Sequence, residues 1–446
     1  MYRHLNRIKM KERQKATQIF LAGVESVKPG NLINRFVSIN QNILQIEEIE
    51  FDLSGIQNIF VIGAGKASAA MAQAIENILG SRISAGHIVT KYDHSLTLQF
   101  IEITEAGHPV PDENGIRGTE RILSIVNKAG KDDLVICLIS GGGSALLADV
   151  PEGCTLDDLK SLSSVLLKTG ANINEMNCIR KHLSKVKGGQ LAKSAFPARV
   201  VSLILSDVIG DPLDVIASGP TAPDPTTFKD ALSIIRKYKI ENDIPEQILR
   251  ILRDGYNKNR QETLKDTDEM FLYTNNLIIG TNLLALKTAK EKAESLGYST
   301  RILTNALDGD VKDVANYMMD SVNRVRQEES DRKMCLLFAG EPTIKIEGIG
   351  LGGRNQHLAL MIAKLLEDRP GITFLSGGTD GTDGPTNAAG AVVDSCTSKN
   401  AANLQLDMER YIDNFDSYTF FIQEGGLIIT GPTNTNVMDL MIVLID

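Results

Sequence analysis

Two α/β domains are what this chain predicts, the first of them built on a doubly wound parallel sheet. Three observations carry that expectation. At 446 residues the chain is too long for a single compact core. Short apolar runs recur, each ending in a glycine-rich or polar turn: IFVIGAGKAS, HIVTKY, LVICLISGGGSALL and VVSLILSDVIGDP. Segments of helical spacing lie between or after them, at 67–79, 115–129 and 156–168. Runs that are apolar throughout and alternate with helices mark parallel strands buried on both faces.

The remaining elements follow from the same periodicities. Residues 11–46 show helical spacing through Ile19, Phe20, Val24, Val27 and Ile33, so the first domain begins with helix. Residues 226–270 are charged and helical and carry no glycine motif. Their polar end sets the expected boundary, giving domains 1–265 and 266–446. The pattern then restarts, with FLYTNNLIIG, STRILTN, KMCLLFAGEPTIKI, ITFLSGGTDGTDG and LIITGPTNTNVMDLMIVLI as strand candidates. Helices are expected at 283–296, 310–326 and 355–366, which completes a second α/β domain.

Composition narrows the function classes. A formal charge of −9 speaks against a general nucleic-acid binder, which carries a basic patch or stripe. One local exception, Arg180, Lys181 and His182 with Lys185 and Lys187, is basic enough to attract a small anion. No run approaches the roughly 20 apolar residues of a membrane span. The five cysteines are scattered without a CxxC pair, so neither a zinc site nor a redox motif is signalled. A cytoplasmic enzyme without nucleic-acid or membrane partners is expected. Its oligomeric state is open, with a homodimer among the options.

The glycine turns carry the chemistry. Gly63-Ala64-Gly65-Lys66 stands between an apolar run and a small-residue helix. Such a turn brings bare backbone and a helix N-terminus against an anion. A helix N-terminus is already positive, so Lys66 there doubles the charge, which makes sense if an anion shares the place. Ser140-Gly141-Gly142-Gly143-Ser144 follows another strand and predicts a backbone nest for phosphate, with the two hydroxyls as added donors. Asp207 closes the strand VVSLIL, where open α/β sheets bind ligands; Asp211, Asp214 and Asp224 read mostly as turn residues. In the second domain Gly352-Gly353-Arg354 repeats the cation-at-helix-start pattern, with a salt bridge to an acid such as Glu341 as the competing explanation. His357 beside it has two readings, a general base or, more common for a single His at a helix start, a packing or capping residue. Asp380, Asp383 and Asn387 crowd one glycine-rich loop whose oxygen density suits Mg²⁺, although tight turns alone also explain the Asp-Gly pairs.

Taken in order, VIGAGKASAAMA, LISGGGSALL, LSDVIGDPLDVIASGPTAPDPTTF, GGRNQHLAL, LSGGTDGTDGPTNAAGAVVD and TGPTNTNVMDL resemble the glycerate 2-kinase family, and the likeness covers essentially the whole chain. The resemblance implies a Rossmann-like N-terminal domain, a MOFRL C-terminal domain and an active-site cleft between them. It also implies phosphorylation of D-glycerate to 2-phospho-D-glycerate with ATP and Mg²⁺. The family's catalytic lysine falls on Lys66 and its catalytic arginine on Arg354. On this expectation ATP phosphates lie near Gly63, Gly65 and residues 140–144. Asp207 then serves the glycerate hydroxyl, with Asp207 and Asp380 as metal candidates and Glu341, Asp383 and Asn387 in the substrate or metal loop. The rivals are a nicotinamide-dependent hydroxypyruvate reductase, weakened because the second strand ends Thr90-Lys91 without a good ribose acid, and a sugar-phosphate-binding regulator.

Overall fold

The computed structural model describes residues 2–329 and 332–446. The chain forms two compact units, Pro29–Ile279 and a second made of the residues up to Lys28 with Gly280–Asp446.

The Pro29–Ile279 unit opens with helix Pro29–Phe36 and an antiparallel meander of β1 (Val37–Asn40), β2 (Ile43–Ile46) and β3 (Ile49–Asp52). The helical spacing expected to continue to residue 46 therefore stops at Phe36. Beyond it, apolar and polar residues alternate, and Gln41 takes the left-handed φ of 58° that a tight turn demands. The main sheet contains β4 (Ile59–Ala64), β5 (Ile83–Lys91), β6 (Glu102–Ala106), β7 (Leu134–Ile139), β8 (Arg199–Leu205) and β9 (Thr274–Gly280). Its order is β6-β5-β4-β7-β8-β9, and the pairings from β6 through β8 are all parallel. The chain runs outward from β4 to one edge, then returns to build the other, so its topological switch point lies between β4 and β7. Both of these strands are buried along their whole length, which is why they are apolar at every position.

Two elements lie elsewhere than the sequence reading placed them. FLYTNNLIIG, expected to open the second domain, supplies β9 at the edge of the first sheet, so the units meet at 279/280 rather than 265/266. The polar stretch before it is a surface excursion, and the apolar run that follows is claimed by the open edge of β8. The helix Tyr2–Ser26 belongs to the second unit. Its stripe of Ala16, Ile19, Phe20 and Val24 is buried there, and a Cβ on Gly23 would lie 3.0 Å from the Ala285 carbonyl. That close crossing accounts for the glycine.

The second sheet contains β10 (Ser299–Leu307), β11 (Met334–Gly340), β12 (Ile372–Gly378), β13 (Gly390–Asp394), β14 (Leu427–Ile428) and β15 (Asp439–Ile445). It runs β10-β11-β15-β12-β13-β14, with only β10–β11 parallel and the other four pairings antiparallel. Helices Val311–Glu328 and Arg354–Leu365 pack into its core through Met318, Val322, Leu358 and Ile362. The run LIITGPTNTNVMDLMIVLI is interrupted between β14 and β15, where Asn434 and Met438 adopt left-handed φ. Among the described residues no helix is long and apolar enough to cross a membrane.

Candidate active site

Four loops leave the carboxyl ends of the parallel strands: Gly65–Ala67 after β4, His108 after β6, Gly141–Ser144 after β7 and Asp207 after β8. Gly65 has φ 141°, and a Cβ on it would fall 2.0 Å from Ser140 Oγ. Glycine alone lets the β4 and β7 loops touch. Ser140 Oγ accepts the Ala67 N–H at 3.0 Å, and Lys66 N–H donates to the Gly141 carbonyl at 2.9 Å. The lysine backbone is thereby fixed at the mouth of the switch point, two residues before helix Ser68–Leu79, whose N-terminal dipole adds to its field.

The nest is narrower than three successive glycines suggest. Gly143 N–H is bonded to the Ser140 carbonyl, whereas the N–H groups of Gly141, Gly142 and Ser144 make no backbone hydrogen bond among the described residues. Ser140 is fully buried and holds the two loops together through its Oγ instead of lining them. Ser144 Oγ is 2.7 Å from Ser218 Oγ, which donates to Asn177 Oδ1 at 3.1 Å. Ser218 stands in a run of three left-handed residues, Ala217, Ser218 and Gly219, with φ of 50°, 60° and 60°. Strain of this kind persists only where the surroundings enforce it.

Three of the five cations in the basic cluster are engaged inside the protein. Lys181 is buried between Asp214 at 3.1 Å and Asp224 at 3.0 Å, so these two acids do more than shape turns. His182 pairs with Glu262 at 2.8 Å, and Lys187 Nζ donates to the Leu147 carbonyl at 2.6 Å. Burial lowers the Lys187 pKa, with Asp149 opposing. Arg180 donates to the neutral Ser163 Oγ at 3.5 Å, and Lys185 is exposed.

In the second unit Arg354 is the first residue of its helix. Its guanidinium forks onto Asp439, Nε to Oδ2 at 2.6 Å and Nη2 to Oδ1 at 3.1 Å, while Nη1 reaches Glu341 at 2.9 Å. Burial works to lower the Arg354 pKa, but Asp439 outweighs it and the net direction is upward. The competing salt-bridge explanation is thus realised, although about a third of the side chain (32%) stays exposed for another anion. Asp439, buried at the start of β15, escaped the sequence reading; its signal is a lone acid opening an otherwise apolar strand.

Asp383 caps this same helix. Its oxygens accept the Asn355 N–H at 3.0 Å and the Gln356 N–H at 2.8 Å, together with both side-chain amides. Burial pushes its carboxyl up to about 6 against the pull of those donors. A Cβ on Gly353 would strike Asp383 Oδ1 at 2.3 Å, which explains the second glycine of the motif. Asp383 therefore satisfies the start of the helix. Asn387 accepts from Tyr418 Oη at 2.8 Å, and Asp380 Oδ1 accepts from Thr382 N at 3.0 Å in a local turn. His357 stacks on Phe415 with ring centroids 4.9 Å apart, as a packing residue does. Among the described residues no group of three or more His, Cys, Asp or Glu forms a metal cage.

Known proteins resemble the chain along most of its length. A family model described as a domain of unknown function (DUF4147) matches residues 15–253, and the MOFRL family model matches residues 334–439. The D-glycerate 2-kinase of Thermotoga maritima is 43% identical over 87% of this chain and 91% of its own length. The glycerate 2-kinase of Pyrococcus horikoshii is 40% identical over 95% and 94%. The crystal structure of the Thermotoga maritima glycerate kinase superposes with a TM-score of 0.86, covering 98% of this chain and all of that one at 39% identity.

Proposed function

The chain belongs to the glycerate 2-kinase family, and from that premise we propose that it transfers the γ-phosphoryl group of ATP to the 2-hydroxyl of D-glycerate. The observation that supports this most is the meeting of Lys66 with the 140–144 loop at the switch point between β4 and β7. A lysine, a helix N-terminus and a bare glycine backbone there form a receptor for phosphate.

Phosphoryl transfer needs positioning and charge stabilisation more than covalent help. Lys66 neutralises charge on the travelling group, and the N–H groups of Gly141 and Gly142 orient its oxygens. Arg354, held in one rotamer by Asp439 and Glu341, brings the second positive charge required in the same turnover. Asp207 orients the 2-hydroxyl and accepts its proton as the new P–O bond forms and the bond to ADP breaks. Asp207 and Asp380 are hard oxygen donors of the kind that would hold Mg²⁺, and a bound ion would supply charge screening for the phosphate oxygens. The five free cysteines suit a reducing compartment such as the cytoplasm. The reductase rival is disfavoured because β5 ends at Lys91, and Asp93 follows in a left-handed turn.

The test is ADP release. Wild type should form ADP only with D-glycerate present, and Lys66→Ala should cut kcat by about 10²–10⁴-fold. Glycerate-independent ADP release, or NADH oxidation by hydroxypyruvate without ADP, would refute the proposal.

A further inference from the structure

The turn after β6 brings a group to the switch point that phosphoryl transfer as described does not use. His108 lies two residues beyond the carboxyl end of β6. A Cβ on Gly142 would sit 2.9 Å from both Cδ2 and Nε2 of His108 and 3.5 Å from Cγ of Lys66. One small volume is therefore bounded by the imidazole edge, the lysine stem and the glycine-loop backbone. Gly142 has φ 81°, so conformation and space both reserve the position for glycine.

The histidine is carried on a braced turn. A Cβ on the preceding Gly107 would fall 2.5 Å from the Val110 carbonyl and 3.1 Å from Asp112 Oδ2. Asp112 caps helix Glu113–Val126 by accepting the Gly115 N–H at 3.0 Å, and it accepts Tyr92 Oη at 2.7 Å. The turn is thus tied to a helix start and to the loop after β5. Such support gives an imidazole the fixed aim that a binding group needs.

We propose that His108 is a further catalytic residue, donating from Nε2 to the phosphate oxygens that Lys66 neutralises. The assignment rests on the switch-point loops being the phosphoryl site. In the step, the electron pair of the breaking P–O bond goes to ADP and a new P–O bond forms to the C2 oxygen. That hydroxyl's proton goes to Asp207, and His108 keeps its own proton throughout. Its role is to tighten a hydrogen bond as charge spreads over the transferring group.

Three variants test this, with kcat, KM for ATP and thermal midpoint measured for each. His108→Ala should lower kcat about 10²-fold, the usual loss for one transition-state donor. His108→Gln, whose amide reaches the Nε2 position, should stay within about tenfold of wild type, while His108→Asn, whose amide stands at the Nδ1 position, should behave like alanine. An alanine variant within twofold of wild type, or rescue by Asn and not by Gln, overturns the proposal. If the alanine variant melts early, the Gln and Asn pair decides. A wild type that makes no ADP from D-glycerate would instead remove the parent proposal, so the two failures are separable.

Discussion

His182 should make stability depend on pH in a direction that can be worked out in advance. Its ring is buried edge-on to Phe228, with Nδ1 2.7 Å from the Cys178 carbonyl and Nε2 2.8 Å from Glu262. Both nitrogens face acceptors, which is the environment of an imidazolium. Burial pulls the pKa down, but the Cys178 and Glu262 hydrogen bonds and nearby Asp224 carry it up to about 9 from 6.5. A folded value above the unfolded one stabilises fully below pH 6.5, and the contribution disappears as pH rises through 9. A rise of that size corresponds to about 3 kcal/mol. Glu262 is 37% exposed, so water screens part of the attraction and about 2 kcal/mol is expected. His182→Gln keeps polarity and approximate size but cannot acquire the charge. Urea midpoints of wild type and variant at pH 6 and pH 9.5 measure the effect, and titrations common to both proteins cancel in the difference. Wild type should lose about 2 kcal/mol of its advantage between the two conditions. A difference that does not change with pH would refute the reasoning.

Other substitutions probe the two cation sites. Ser218→Gly relieves the left-handed φ of 60° while removing the hydroxyl that joins Ser144 to Asn177; kcat/KM should fall about fivefold with stability within about 1 kcal/mol, by kinetics and thermal melts. Arg354→Lys keeps the charge and loses the fork onto Asp439, so kcat should drop at least about tenfold and remain low at saturating ATP and glycerate. Gly353→Ala drives a methyl to 2.3 Å from Asp383 Oδ1 and should cost about 2–3 kcal/mol in a denaturant titration.

Much of this protein is legible in its sequence because the relevant signals are local. Glycines between an apolar strand and a helix mark the β4 and β7 loops, and a cation at a helix start marks Lys66 and Arg354. What the chain hides is pairing at long range. Asp439 meets Arg354 across 85 positions of sequence, and Asp383 reaches back 28 positions to cap a helix it does not belong to. Lys181 looks like surface charge until Asp214 and Asp224 are seen to enclose it. His108 carries no motif of its own, and only the space over Gly142 identifies it. Strand membership is similarly non-local: nothing in TNNLIIG distinguishes a sixth strand of one sheet from the first of another.

The most direct measurement is the proton-coupled ³¹P spectrum of the product formed from D-glycerate, ATP and Mg²⁺ by wild type, Lys66→Ala and Arg354→Ala. Phosphorus on the C2 oxygen couples to one carbon-bound proton and gives a doublet, whereas phosphorus on the C3 oxygen couples to two and gives a triplet. Transfer to the 2-hydroxyl that needs both Lys66 and Arg354 predicts a doublet with wild type and almost no product from either variant. A triplet, or a doublet formed at wild-type rate without Lys66 or without Arg354, would contradict it.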